Sequence, residues 1–380
     1  MKKTEEQKGI TLVAIVITII ILLVLAGITI YSLTNTEIFK KAQHAKMVTQ
    51  EKAVEEKTTL DNYEEQLGIA TGAKEYTESK TIEEAQTNDM LAKKVNSVIT
   101  DMYGNQITVP AGFKIKVDNT TNNATTVDKG IVILDSKENE FVWVPVGKIY
   151  TDVEKNEANA KTIEVGRYSF DSTGVKSIYS GNYVEEDRED TTNSLKNWGN
   201  TIAKNITKFK NSVETNGGYY IGRYEARKNI NGTITEVGTD TVWNNITQPN
   251  ASIQAQNMYN SSKFISDLVN SYAWDTAVTF IQKCTEQKLY SRQNSLNTTL
   301  SQTGTNTKDT KDVQCNIFDM ASNLFEWTTE TSDNSDNPCT IRGGSYHFSS
   351  NYTSNRNRNT NYNRYDDLGF RPILFVTDKK

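Results

Sequence analysis

The residues best suited to contact another molecule are concentrated near the C-terminus, in the polar segment Ser345–Asp367. This segment consists almost wholly of Asn, Tyr, Ser, Thr, Arg and Asp, and it has no alternating apolar residues that would predict a core strand. It lies between RGGSY and LGFRPILF, and the second stretch has the pattern of a buried final strand. Tyr provides rigid contact area while Asn and Arg provide adaptable hydrogen bonds, so the composition is typical of a binding surface held on a scaffold.

We therefore predict that a ligand binds to this segment. The predicted ligand-binding residues are Tyr346, Asn351, Tyr352, Asn355, Arg356, Asn357, Arg358, Asn359, Asn361, Tyr362, Asn363, Arg364 and Tyr365. Contact is expected to centre on Tyr352, Arg356, Arg358, Tyr362 and Arg364. Two alternatives remain open, an irregular structural loop and a catalytic loop. The flanking residues Gly343, Gly344, Phe370 and Arg371 are expected to matter for folding instead.

Overall composition excludes several other classes of site. With 42 basic and 47 acidic residues the net charge is −5, so no global positive field favours nucleic acid as a partner. The chain has two His and three Cys, and the spacing of Cys284, Cys315 and Cys339 matches no zinc pattern. One disulfide with one free thiol, and no disulfide at all, both remain open.

The N-terminal region predicts one long helix. Residues 10–31 are uncharged and would span about 33 Å as a helix, enough for a hydrocarbon core. No Gly or Pro occurs from 32 to 67 and the helical spacing of apolar residues continues, so we predict a helix over 10–67. We divide the chain into a leader (1–9), this helix, a linker (68–103) and a globular domain (104–380).

Two elements of the globular domain are predicted from their patterns. The runs IVIL and FVWVPV around SKENE predict a β-hairpin. Ser271–Cys284 predicts a capped helix, with these residues on one face: Ala273, Ala277, Phe280, Ile281 and Cys284.

This N-terminus resembles a type IV prepilin, because KGITLVAIV matches the prepilin processing motif. The resemblance implies cleavage between Gly9 and Ile10 by a prepilin peptidase, N-methylation of Ile10, and assembly with other pilin subunits. It also implies insertion in the cytoplasmic membrane through the helix, with the globular domain on the pilus or cell surface. The fifth mature residue is Ala14 where pilins usually have Glu, which favours a minor or tip subunit. An uncleaved single-span anchor remains the alternative.

The globular part resembles the formylglycine-generating-enzyme or sulfatase-modifying-factor domain, a variant of the C-type lectin fold. The resemblance rests on FVWVPVG, YYIGRYEAR, YAWDTAVTF, FDMASNLFEWT, RGGSY and LGFRP, in that order from about Phe141 onward. Together with the helix, it implies an α+β fold class, in which a long N-terminal pilin-type helix precedes a C-type-lectin-like domain with irregular loops.

The resemblance also implies a calcium site in FDMASNLFEW. Asp319 and Glu326 would be carboxylate ligands, and backbone carbonyls near Ser322 and Leu324 would complete the site, since hard oxygen ligands suit Ca²⁺. The alternative is that Glu326 forms a salt bridge with Arg342 or Arg371 beneath the polar segment. Phe325 and Trp327 are expected in the core in either case.

Oxidase chemistry in this family needs two cysteines shortly after the GGS turn, because thiolates are the natural Cu(I) ligands. The corresponding positions here are Phe348 and Thr353, so we predict no catalytic residues. The related three-His iron site is equally unavailable, because the only histidines are His44 and His347. The fold is thus expected without the chemistry.

Some C-type-lectin-fold proteins are diversified by retroelements that mutate adenines in Asn-type codons. Every residue type in Ser345–Asp367 can be encoded by a codon ending in a pyrimidine, and Lys, Glu, Gln, Met and Trp are missing. An AT-rich genome would give a similar composition, so both origins remain open.

The sequence as a whole predicts a surface-displayed, pilin-like protein that binds an extracellular protein or glycan through its polar segment. A formylglycine-generating oxidase and a purely structural pilin are the alternatives.

Overall fold

The computed structural model describes residues 81–87, 93–116, 124–187, 206–228, 235–236, 241–303, 312–348 and 350–377. All of them belong to one compact unit, Asn62–Lys380. The predicted leader, the cleavage site at Gly9–Ile10 and the predicted helix over 10–67 lie outside the described residues.

Strands predominate in the described part of the chain. Its α-helices are α1 (Ile82–Thr87), α2 (Ile206–Asn216), α3 (Gln248–Gln256) and α4 (Ser271–Cys284). Its strands are β1 (Ser97–Thr100), β2 (Gln106–Val109), β3 (Lys114–Ile115), β4 (Val132–Leu134), β5 (Glu140–Pro145), β6 (Gly147–Ile149), β7 (Lys161–Ile163), β8 (Tyr168–Phe170), β9 (Lys176–Ile178), β10 (Tyr183–Val184), β11 (Gly218–Gly222), β12 (Arg227–Lys228), β13 (Thr235–Glu236), β14 (Phe264–Leu268), β15 (Val313–Gln314), β16 (Ile317–Phe318), β17 (Phe325–Ser332), β18 (Cys339–Arg342), β19 (Arg356–Asn359), β20 (Leu368–Phe370) and β21 (Pro372–Val376).

The predicted fold class, α+β with a long N-terminal helix, is wrong. The described residues form mostly strands, and the longest helix among them, α4, has 14 residues. The prediction gave too little weight to the short strands of the described part of the chain.

Within the described ranges, no helix combines the length and the apolar composition needed to cross a membrane. The predicted localisation, in which a single N-terminal helix anchors the protein in the membrane, is corrected on this finding.

A six-stranded sheet carries the larger hydrophobic core, in the order β14–β21–β11–β5–β4–β3. Its hairpin β4–β5 follows the predicted pattern, with Val132 opposite Val142 and the loop SKENE at the turn. β11 lies between β5 and β21 and is buried at all five positions, which explains its aromatic and apolar sequence GYYIG. The predicted final strand is therefore confirmed as β21, an inner strand of this sheet.

Helix α4 has the predicted bounds, and its packing follows from its sequence. The Asn270 side chain accepts a hydrogen bond from the Ala273 backbone N–H and so caps the first turn. Ala273, Ala277 and Phe280 are fully buried on the face predicted from the spacing.

A second sheet has the order β10–β17–β18–β19, and β20 pairs with β17 in parallel. A smaller hydrophobic cluster covers one face of this sheet and includes Trp327, Ile341 and Phe370. Because β18 directly precedes the polar segment and β20 directly follows it, both ends of the segment are fixed to this sheet.

Candidate ligand-binding site

The polar segment contains a strand, β19, that the sequence did not predict. It pairs with β18 in antiparallel register, with Arg356 opposite Arg342 and Asn357 opposite Ile341. Its sequence, Arg-Asn-Arg-Asn, alternates with the period of two that a strand requires, so the arginines and asparagines lie on opposite faces. The strand was not predicted because neither of its faces is apolar. The alternation of Arg with Asn was the one signal in the sequence that could have indicated it.

A cavity of about 280 Å³ opens on the asparagine face of β19. Its lining residues are Phe325, Ile341, Phe348, Asn351, Asn357, Asn359, Tyr365, Asp367 and Leu368. Four of these, Asn351, Asn357, Asn359 and Tyr365, are predicted ligand-binding residues. The cavity therefore lies where the second hydrophobic cluster reaches the polar segment.

The cavity combines an apolar base with a few amide groups. Phe325, Ile341 and Leu368 are almost completely buried and form the apolar part. The Asn359 Oδ1 atom accepts hydrogen bonds from the Thr360 backbone N–H and from the Asn363 side chain.

Two further amides complete the polar part of the lining. The Asn351 Oδ1 atom accepts a hydrogen bond of 2.7 Å from the Asn355 side chain. The Asn357 side chain has no hydrogen-bond partner in the described part of the chain. Asn357 is therefore the amide with both its donor and its acceptor available to a bound group.

Exposed aromatic side chains lie in the same segment. Phe348 is 54% exposed, and its ring centroid lies 5.7 Å from that of Phe325 in the cavity. Tyr365, which also lines the cavity, is 50% exposed, and Tyr362 is 72% exposed. Such exposed aromatic groups beside a cavity are typical of contact surfaces rather than of a folded core.

The arginine face of β19 has a different environment, because Arg356 is buried in a cluster of charges. Its Nε atom donates to both carboxylate oxygens of Glu330, at 2.9 and 3.2 Å, and it also forms an ion pair with Asp275. Arg342 pairs with Asp275 at 2.6 Å, and Arg167 pairs with Glu330 at 2.5 Å. Arg356 thus joins the polar segment to α4 and β17, which is a structural role.

The other residues expected at the centre of ligand contact also differ in how far they are covered by the rest of the protein. The Arg292 guanidinium lies 3.7 Å from the centroid of the Tyr352 ring, which covers that ring from one side. Arg358 is exposed; it forms a surface pair with Asp333 at 3.2 Å, and its guanidinium lies 5.8 Å from the centroid of the Tyr183 ring. Arg364 is exposed as well.

The remaining predicted ligand-binding residues hold the segment or border it. Asn355 and Asn363 donate hydrogen bonds to two cavity asparagines, as described above. Tyr346 is half-buried beside Asp366, and its backbone N–H donates to the Asn323 carbonyl oxygen. Asn361 lies in a turn, is half-buried and does not line the cavity.

The turn predicted to bind calcium is fully buried, and its carboxylates have protein partners. Both Glu326 oxygens accept hydrogen bonds from Arg371, with Oε1 at 2.6 Å from the Nη2 atom. Asp319 Oδ2 accepts a hydrogen bond of 3.0 Å from Thr303. Of the two arrangements left open by the sequence, the structure thus contains the salt bridge from Glu326 to Arg371.

Glu225 is a further buried carboxylate here, which the sequence reasoning missed. It accepts hydrogen bonds from the Asn323 side chain at 2.6 Å and from the Leu324 backbone N–H at 3.0 Å. Burial raises the pKa of the Glu225 carboxyl well above its usual range, and the charges of Asp319 and Glu326 raise this pKa further. The signal for Glu225 was its place in YYIGRYEAR, a stretch used only to identify the family.

These side chains do not form a ready calcium site as they lie. Glu326 is already neutralised by Arg371, so it does not fit the role of a calcium ligand in this arrangement. Over the described ranges, no three His, Cys, Asp or Glu side chains are grouped so that they would hold a metal ion. The role of Asp319 and of the carbonyls near Ser322 and Leu324 stays a prediction.

The two positions at which an oxidase of this family would need cysteines have different environments. Phe348 is exposed at the cavity, whereas Thr353 is fully buried and bonded to the Gln293 carbonyl oxygen. The cavity lining includes neither Cys nor His.

In the comparison with known proteins, a family model matches one third of the chain. Residues 250–374 match the family of the sulfatase-modifying factor enzyme 1-like domain. The matched stretch runs from α3 to β21 and contains the whole cavity. The predicted resemblance is therefore confirmed over these residues, a shorter range than the one expected from Phe141 onward. No curated protein matches the chain at a significant level.

Several solved structures are similar at low identity. Treponema denticola variable protein 1 has 11% identity and a TM-score of 0.32, over 69% of this chain and 98% of that chain. The M1 variant of the Major Tropism Determinant has 13% identity and a TM-score of 0.32, over 80% of this chain and 85% of that one. PvdO from Pseudomonas aeruginosa has 13% identity and a TM-score of 0.30, over 42% of this chain and 81% of that one. The comparisons give no support for a prepilin N-terminus.

Proposed function

We propose that this protein is a binding protein, and that its recognition surface is the cavity on the asparagine face of β19 with the exposed aromatic residues beside it. The observation that carries the proposal is the cavity itself, because the polar segment supplies the larger part of its lining. An apolar cavity with a few polar groups is the usual form of a binding site.

The surrounding structure supports recognition in a second way. Arg356, its ion pairs with Glu330 and Asp275, and the pairing of β19 with β18 fix one side of the cavity. A preorganised surface loses little conformational entropy on binding, so more of the contact energy remains as affinity. The exposed aromatic residues contribute contact area at low entropic cost.

The proposal is tested with two unbiased probes, a glycan array and a phage-displayed peptide library, applied to the full chain. Binders are then measured against a double variant, Tyr362→Ala with Tyr365→Ala. Each truncation is expected to cost about 2 kcal/mol, or about 30-fold in affinity, as is typical of aromatic contact residues. The melting temperature should change little because both side chains are at least half exposed.

The matched control is Ile178→Ala on β9. Ile178 is 83% exposed but does not line the cavity, so its truncation should leave binding unchanged. If every binder recovered from both probes keeps its affinity for the double variant, recognition takes place elsewhere and the proposal is wrong.

A further inference from the structure

We propose that the cavity receives a tyrosine side chain presented by a protein partner. This inference rests on the proposed function, since it specifies the ligand of the same site. It follows from three features of the cavity: its size, the number of its available polar groups, and the surface beside it.

Size limits the bound group to about one side chain. Binding sites for whole drug-sized ligands have volumes of roughly 300–1,000 Å³. At about 280 Å³ this cavity lies at the lower end of that range, so it suits one large side chain of a molecule that continues outside. Its apolar base, formed by Phe325, Ile341 and Leu368, favours an apolar body for that side chain.

The polar groups of the cavity match a hydroxyl and disfavour an anion. Asn357 presents a donor and an acceptor, which match the acceptor and the donor of a phenol hydroxyl. Asp367 is the one ionisable carboxyl in the lining, and it is buried and accepts a hydrogen bond of 2.8 Å from Ser345. Because Ser345 is neutral, Asp367 remains an acceptor in the lining, which suits a hydroxyl donor and disfavours an anionic side chain.

A sugar fits this chemistry poorly. Each of its several hydroxyls loses hydrogen bonds to water on entering the cavity, and a buried polar group without a partner is costly. The amide oxygens of Asn351 and Asn359 already accept hydrogen bonds within the protein. Fewer acceptors therefore remain than the several hydroxyls of a sugar ring need, whereas Asn357 offers the donor and the acceptor that match a single phenol hydroxyl.

The surface beside the cavity favours a protein as the source of the tyrosine. Phe348 and Tyr365 line the cavity and are each at least half exposed, and Tyr362 of the same segment is more exposed still. A buried aromatic anchor surrounded by further contacts that exclude water is the usual arrangement at protein–protein interfaces.

The experiment measures binding of three probes to the full chain by saturation-transfer NMR. The probes are N-acetyl-tyrosinamide, N-acetyl-phenylalaninamide and methyl glucopyranoside. The tyrosine probe should bind about tenfold more tightly than the phenylalanine probe, which corresponds to one hydrogen bond. The sugar probe should show no saturation transfer.

Two variants assign the effect to Asn357. Asn357→Leu removes the amide at similar size, so the tyrosine and phenylalanine probes should then bind equally. Asn361→Leu is the matched control, because Asn361 belongs to the same segment but does not line the cavity, and it should keep the tenfold preference. Since the preference is a ratio measured within one variant, a loss of folded protein does not imitate it.

The possible results separate the two proposals. If methyl glucopyranoside binds in place of the tyrosine probe and Asn357→Leu abolishes its binding, this inference is wrong while the proposed function stands. A tenfold preference that survives Asn357→Leu also overturns the inference. If light scattering shows a dimer that Tyr362→Ala dissociates, the occupant is a second copy of this chain and the external partner is excluded. If no probe binds and the array and library binders ignore the double variant, both proposals fail.

Discussion

The substitution Arg356→Ala is expected to lower the stability of the fold rather than to weaken ligand binding directly. The sequence placed Arg356 among the central ligand contacts, but its side chain is only 7% exposed and is bonded to Glu330 and Asp275. It also donates a hydrogen bond of 3.1 Å to the Tyr168 carbonyl oxygen. Its truncation therefore removes charge-assisted hydrogen bonds from a buried site.

The size of the effect follows from the partners that remain. Removing one member of a buried ion pair typically costs about 3–5 kcal/mol, because the other charge stays buried. Here Asp275 keeps Arg342 and Glu330 keeps Arg167, so no acid is left without a guanidinium. Burial and then the charge of Arg356 lower the pKa of Arg342, so the truncation also relieves some repulsion. We therefore expect Arg356→Ala to lower the free energy of unfolding by about 3 kcal/mol, the lower end of that range.

The assay compares Arg356→Ala with Arg358→Ala by thermal and urea unfolding. For a domain of this size, 3 kcal/mol corresponds to a fall of about 6–12 °C in melting temperature. Arg358 lies two residues along the same strand but forms an exposed pair with Asp333, so its truncation should cost less than about 1 kcal/mol. The matched pair separates burial from the general effect of removing an arginine on β19.

The reasoning is refuted if Arg356→Ala melts within a degree of the wild type. It is equally refuted if both arginine variants lose the same stability. If Arg356→Ala keeps its stability but loses binding, then the sequence-based assignment of Arg356 as a contact residue was right.

Three further predictions concern the scaffold. Gly343→Ala should cost roughly 2 kcal/mol or more, because Gly343 has φ +79° and an added Cβ would lie 2.6 Å from the Met320 carbonyl oxygen. Gly112→Ala, at φ +78° with nothing near, should cost less, and equal losses would contradict the contact argument. Because Arg371 already neutralises Glu326, calcium should leave the melting temperature unchanged; a rise that Asp319→Ala abolishes would show that this turn binds calcium. Burial raises the pKa of the Cys284 thiol to about 12, so iodoacetamide should modify it slowly at pH 8 until the protein is unfolded. Because this pKa is raised, the contribution of Cys284 to stability is present below its ordinary value of 9.0 and is lost between pH 9 and 12; fast modification of the folded protein would contradict this.

The sequence predicted those elements whose hydrophobic pattern has one dominant period. Helix α4 has its apolar residues at helical spacing and an Asn cap, so its bounds Ser271–Cys284 were predicted correctly. The hairpin β4–β5 has two apolar runs around a polar turn, and it was found as expected. The position of the polar segment between two fixed ends also followed from the sequence, because RGGSY and LGFRPILF contrast sharply with Ser345–Asp367.

The internal structure of the segment could not be predicted, because it depends on distant residues. Arg356 and Arg358 have the same type and neighbouring positions, yet one is buried by Asp275 and Glu330 while the other stays exposed. The acidic partners of these two arginines are up to 81 positions away in the sequence, so no local pattern distinguishes the two residues. Glu225 was missed for the same reason, since it meets Asn323 only after folding.

The alternation along β19 also determines which positions in this segment can change during evolution. Substitutions at Asn357 and Asn359 alter the cavity lining, whereas a substitution at Arg356 removes an ion pair on which the fold depends. Mutational tolerance should therefore be low at Arg356 and higher at the exposed Arg358 and at the two asparagines, rather than uniform along the strand. Under the proposed function, a lineage that varies only Asn357 and Asn359 would change the contacts to the ligand while it keeps the ion pairs of Arg356 that stabilise the fold.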